Sequence, residues 1–102
     1  MSVVAMKCIS AVNHPSADRL RVYLFEAPSL GEKQVVANLT NVYEVGDVVA
    51  VAQVGTVLSK FENLLIEPRV VRKVESLGMA LGKVDVEVGT ELGDDFGQEE
   101  VK

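Results

Sequence analysis

The chain has 102 residues, 48% of them hydrophobic and 25% charged, which is room for one globular domain and excludes a multidomain enzyme. A chain of this size and composition closes an apolar core without disulfides or a structural metal, and its one cysteine cannot form an internal bridge. The net charge of −5 is localised: residues 1–82 carry eight Lys/Arg against eight Asp/Glu, and residues 83–102 carry two against seven, so the body is neutral and the last fifth acidic.

Valine-rich stretches broken by Gly, Asp, Asn and Pro predict short strands. Residues 3–12 are the first, with Cys8 a buried, inert thiol, and Asn13-His14-Pro15 marks a turn in which His14 caps the strand pair or packs on it. Leu20–Phe25 is the second strand, with Leu20, Val22 and Leu24 on one face, expected inward, and Arg21, Tyr23 and Phe25 on the other. Asp18 can bond backbone donors of the preceding turn. Lys33–Ala37 is the third strand, a short helix or turn is expected near residues 39–45, and Gly46-Asp47 launches Val48–Ala52. Thr56-Val57-Leu58 leads to a loop at Lys60–Asn63, then Leu64–Ile66, the basic stretch Arg69–Val74, Gly78–Gly82 as a short strand, and the alternating Val84, Val86 and Val88. From Gly93 onward the chain is acidic and is expected to fray. Many short strands without an 11-residue window of helical period predict an all-β barrel or sandwich.

Chemistry is sparse. One His and one Cys cannot build a tetrahedral metal site, no nucleophile accompanies His14, and the dispersed glycines form no phosphate-cradling motif, so neither an enzyme nor a cofactor is expected. No apolar run nears the roughly 18 residues of a membrane span and no signal-like segment opens the chain, so it reads as cytoplasmic with no membrane partner. The informative feature is Arg69, Arg72 and Lys73, three cations within five residues of a neutral body. On a continuous strand Arg69 and Lys73 would share a face opposite Arg72. Such a row either neutralises phosphates or keeps a strand edge from pairing. Aromatic support for base stacking is thin, with no Trp and only Tyr23, Phe25, Tyr43, Phe61 and Phe96.

His14-Pro15-Ser16-Ala17-Asp18-Arg19-Leu20-Arg21-Val22 resembles the opening motif of the tRNA-binding OB-fold domain of phenylalanyl-tRNA synthetase β chains and methionyl-tRNA synthetases, which also occurs free-standing. Gln34-Val35-Val36, Thr40-Asn41-Val42, Gly46–Ala52 and Gly55–Leu58 follow the synthetase β-chain version in order, and Val74-Glu75-Ser76-Leu77-Gly78-Met79 resembles the family's second block. This chain departs from the family in having Ala37-Asn38-Leu39-Thr40-Asn41 without a glycine, Lys73 where a glycine commonly follows the arginine, and Ala80-Leu81 after Met79.

The resemblance implies a five-stranded Greek-key OB-fold barrel with short extra strands or a helix over residues 1–93, an acidic tail at 94–102, and a free-standing, non-catalytic protein that grips tRNA by backbone and shape contacts. The resemblance implies that Arg72, Ser76 and Met79 face tRNA, with Asn41 kept from the family pattern, and Arg69, Lys73, Arg21, Lys33 and Lys60 are read from their charge as further cations that would neutralise phosphates. An aminoacyl-tRNA synthetase is a further expected partner. Homodimerisation is expected through the Val3–Val12 strand or the Val84–Val88 segment, which would double the cation row. The alternative, from a different class, is an OB module for protein contacts, oligomerisation or chaperone-like work without RNA binding.

Overall fold

The computed structural model describes residues 3–93; the acidic tail at 94–102 lies outside the described residues. Among the described residues the backbone is all-β, with one 3-10 turn at Ser59–Phe61. The strands are β1 (Val3–Asn13), β2 (Leu20–Ala27), β3 (Gly31–Asn38), β4 (Val48–Ala52), β5 (Val57–Leu58), β6 (Leu64–Leu65), β7 (Arg69–Val71), β8 (Val74–Ser76) and β9 (Met79–Lys83). Residues 39–45 are turn and irregular chain rather than helix.

Strands β3-β2-β1-β4-β9 form one antiparallel sheet in that order, curled into a half-barrel. The long β1 makes the curl possible because its two halves serve different partners: Val3–Lys7 pairs β4, while Lys7–Asn13 pairs β2. Between Cys8 and Ser10 the extra residue Ile9 bulges and bends the strand, and β9 bends similarly where the register against β4 shifts. The β3 edge is met by β8 and the residue after it, which lead into the other edge strand β9: Leu77 N donates to Gln34 O at 2.7 Å, and Gln34 Nε2 donates to Glu75 O at 2.7 Å.

Both faces of the Val3–Met6 half of β1 and of β4 are buried, which explains their apolar runs. Val4, Met6, Cys8, Val49 and Val51 face Tyr23, Phe25, Val35 and Tyr43 inside the curl. Val3, Ala50 and Ala52 face Leu58 and Ile66 on the other side, where Leu64, Met79, Leu81 and Leu92 complete the cover. Backbone also crowds the open side of β1: Ala5 N donates to Thr90 O at 2.9 Å, and Gly89 N donates to Ala5 O at 2.7 Å. Gly78 is forced by the same crowding, since φ is +148° and a Cβ there would sit 2.8 Å from Ala52 O.

Several expectations are corrected. The inward face of β2 is Tyr23, Phe25 and Ala27, not Leu20, Val22 and Leu24, which are half-buried. Tyr23 and Phe25 stack on each other and meet Tyr43 edge-on, at centroid distances of 5.3–6.2 Å, an aromatic cluster the aliphatic set could not form. Arg21 shares that face only at its end, where the strand leaves the core and the guanidinium lies 5.8 Å from the Tyr23 ring centroid. Residues 84–88 form bends instead of an alternating strand, with Val84 and Val88 packed inward. Val3–Met6 and Cys8 are core. Of the two segments expected to pair two copies, Val12 and Val86 are the large apolar residues left exposed. Among the described residues no helix is long and apolar enough to cross a membrane.

Candidate nucleic-acid interface

The basic stretch is a tight hairpin rather than a continuous strand. Arg69, Val70 and Val71 pair Ser76, Glu75 and Val74, and Arg72-Lys73 are the two turn residues, with φ of +49° and +73°. Positive φ at both central positions is the type I′ hairpin turn, which matches strand twist and for which Asn-Gly is the usual solution. Here two long cationic side chains occupy it, which is sterically costly. The expectation that Arg69 and Lys73 share one face opposite Arg72 fails because the chain reverses between them.

Two anchors hold the hairpin to the body. On the β8 side, Ser76 is 5% exposed and its Oγ accepts a bond from Val36 N at 2.9 Å. On the β7 side, His14 Nε2 donates to Val71 O at 2.9 Å. His14 Nδ1 in turn accepts from Ser16 N at 2.9 Å, so His14, not the exposed Asp18, supplies the side-chain acceptor of the β1–β2 turn. The turn closes with His14 N donating to Leu20 O at 3.0 Å.

Between the hairpin, the end of β3, the 38–41 turn and β6 lies a groove of about 470 Å³. Its floor is apolar, including Leu20, Val36, Ile66, Val71 and Met79, and its rim is polar, with Asn38, Asn41, Glu67 and Arg69. A volume in this range with few polar groups suits a small flat ligand or part of a larger one. Of the sequence-derived site residues, Asn41, Arg69, Ser76 and Met79 line the groove. Arg72 and Lys73 stand exposed immediately beyond Val71 at the hairpin tip.

The others lie apart. Arg21 donates to Asn13 Oδ1 at 3.3 Å away from the groove. Lys33 shares the Val35 side of β3, opposite to Val36. Lys60 falls in the 3-10 turn, its side chain outside what the structure describes. Ser76 belongs to the groove wall as a structural bridge, since its hydroxyl is engaged with Val36 N.

Sequence reasoning missed Glu67, Thr40 and Arg19. Arg19, Asn38, Leu39 and Thr40 line a second, more open concavity that shares Asn38 and Thr40 with the groove. Arg19 sits inside a motif read as a fold signature, and nothing local in the sequence sets it apart there.

Titratable chemistry is absent from the groove's floor. Burial pushes the Cys8 thiol up, against the weaker opposing effect of the Ser10 backbone, and burial followed by the neighbouring Tyr23 pushes the Tyr43 phenol up. Both are core groups. Tyr23, Phe25 and Tyr43 are at most 2% exposed and cannot stack on bases, which leaves Phe61 as the exposed ring among the described residues. Among those residues no group of three His, Cys, Asp or Glu could hold a metal ion.

Comparison with known proteins bears on this geometry. Over 78 residues, 76% of its length, the chain is 41% identical to the phenylalanine–tRNA ligase beta subunit of Syntrophotalea carbinolica. Over 79 residues it is 35% identical to the phenylalanine–tRNA ligase beta subunit of Chlorobaculum tepidum. The chain is similar to a segment of that subunit. It spans 9% and 10% of the lengths of these two relatives. No family model matches it.

Proposed function

We propose that this chain is an OB-type barrel that binds tRNA without chemistry of its own, through phosphate and shape contacts. The observation that carries the reading is the Arg72-Lys73 turn, two exposed cations held in a strained conformation at the lip of an apolar groove, on a body of zero net charge. Costly backbone conformations persist where the surrounding structure fixes them, and they concentrate at functional positions. The similarity to a tRNA ligase subunit supports tRNA as the polyanion and a synthetase as a partner. The strand order β3-β2-β1-β4-β9, with β8 drawn onto β3, is what a five-stranded barrel closing on itself would have, which supports the OB assignment. The proposed location is cytoplasmic.

An electrophoretic shift with bulk tRNA at 50 and 200 mM salt, concentrations chosen from the usual range for such tests, checks the reading. A shifted band that weakens with salt is expected, and no shift at the lower salt refutes it.

One observation favours a second reading. Val57 and Leu65 face each other across β5–β6 at 41% and 44% exposure, and Phe61 beside them is 46% exposed. An apolar hairpin of this kind suits a protein contact. The proposal accordingly places homodimerisation here, and light scattering tests it: a mass that stays near 11.0 kDa as concentration rises rejects the dimer.

A further inference from the structure

We propose that this chain's own acidic segment, residues 94–102, occupies the cationic hairpin tip and must be displaced before tRNA can bind there. This rests on the reading that the tip binds tRNA, and it adds a regulation of that site. The segment, Asp94-Asp95-Phe96-Gly97-Gln98-Glu99-Glu100-Val101-Lys102, carries four acids against one lysine. Facing it are Arg69, Arg72 and Lys73, none of which takes part in an ion pair among the described residues. The match extends beyond charge. Phe96 stands between the two acid pairs, and the groove beside the tip has an apolar floor that includes Leu20, Ile66, Val71 and Met79. Glu67 on the rim and Glu75 in β8 are the opposing acids, which directs the carboxylates to Arg72 and Lys73 and leaves the ring to the floor.

Leu92 fixes the point from which the segment starts. Its N donates to Val3 O at 2.7 Å, and its side chain packs on the cluster that holds Leu64, Ile66 and Met79. Those three residues also line the groove, so the chain is delivered to the back of the groove's own wall. Nine extended residues reach up to about 30 Å, against dimensions of 37 × 27 × 24 Å for the molecule. A segment tethered this close acts at an effective concentration on the order of 1 mM, so weak contacts suffice to hold it. tRNA, whose phosphates far outnumber four carboxylates, can displace it, whereas a weak polyanion cannot.

The test uses the full isotope-labelled chain with a nitroxide attached through Gln98→Cys; Cys8 is fully buried and stays unlabelled. At about 0.1 M salt the amide signals of Val70, Val71, Arg72, Lys73 and Val74 are expected to broaden more than those of Glu44, Val45 and Gly46, and the broadening is expected to fade at about 1 M salt, where the Debye length is about 3 Å. Bulk tRNA is expected to remove it as well. The full chain carrying Asp94→Asn, Asp95→Asn, Glu99→Gln and Glu100→Gln together is expected to bind tRNA about tenfold more tightly, as release of a site held about nine-tenths of the time requires. Broadening that is uniform, confined to β5 and β6, or unchanged by bound tRNA overturns the proposal, as does unchanged affinity in the neutralised variant; where wild type still binds tRNA, the tRNA reading stands. If the hairpin amides broaden but tRNA neither binds nor displaces the segment, the contact stands and the tRNA reading fails.

Discussion

His14 Nε2 donates to the carbonyl of Val71, 57 residues along the chain, at 2.9 Å, while its Nδ1 accepts from Ser16 N. The accepting Nδ1 leaves the proton on Nε2, so one neutral tautomer satisfies both bonds and joins the β1–β2 turn to the cationic hairpin. His14→Phe keeps the ring volume and removes both bonds. Stability measured by urea unfolding is expected to fall by about 1–2 kcal/mol, because two part-buried hydrogen bonds are lost. Amide exchange at Val71–Val74 is expected to accelerate more than exchange in β1 and β4.

Lys73→Gly relieves a left-handed non-glycine residue and is expected to raise stability by about 1 kcal/mol, the relief of about 1–2 kcal/mol being partly offset by the greater freedom of glycine in the unfolded chain. The same change removes a cation, so tRNA affinity is expected to fall as stability rises. Thermal unfolding and an electrophoretic shift on the same preparation check the opposite signs.

Ser76→Ala separates the wall of the groove from its ligand contacts. Val36 N loses its acceptor, and a loss of about 1–2 kcal/mol in urea unfolding is expected. Affinity for tRNA under conditions where the variant is fully folded is expected to match wild type. A large drop in affinity without loss of stability would show that the hydroxyl touches RNA.

Alkaline pH tests the core. The Tyr43 phenol and the Cys8 thiol both ionise at higher pH in the folded chain than in the unfolded one, because burial disfavours the anion. For Tyr43 the resulting stabilisation is complete below the ordinary phenol value of about 10 and is lost as pH rises through the higher folded value. Stability is therefore expected to fall above about pH 10. Tyr43→Phe should flatten that fall, which denaturant titrations at several pH values would reveal.

Strand positions and most turns were legible in the sequence because apolar alternation and Gly, Asn and Pro punctuation are local signals. The face of β2 was not, since Leu20-Val22-Leu24 and Tyr23-Phe25-Ala27 alternate equally well and only packing against Tyr43 and Val35 selects the aromatic set. The basic stretch misled for a related reason: Arg72-Lys73 lacks the residues that announce a tight turn, and the reversal is imposed by the pairing of Val71 with Val74 and by the bonds from His14 and Ser76. Ser76, Met79 and Asn41 follow from the resemblance and Arg69 from its charge, and all four line one groove, whereas the cations Arg21 and Lys33 lie elsewhere. Glu67 joins the groove and Arg19 the neighbouring concavity through tertiary contacts that no local spacing encodes.

The central claim is that the hairpin tip is the phosphate-binding element, and the tRNA affinity of the Arg72→Glu, Lys73→Glu double variant tests it most directly. Both side chains are exposed and make no contact that the fold requires, so unfolding behaviour should be close to wild type. The account predicts that the tRNA shift disappears at low salt, because two phosphate-neutralising cations give way to two repulsive carboxylates at the lip of the groove. A folded double variant that binds tRNA with wild-type affinity and salt slope would contradict it.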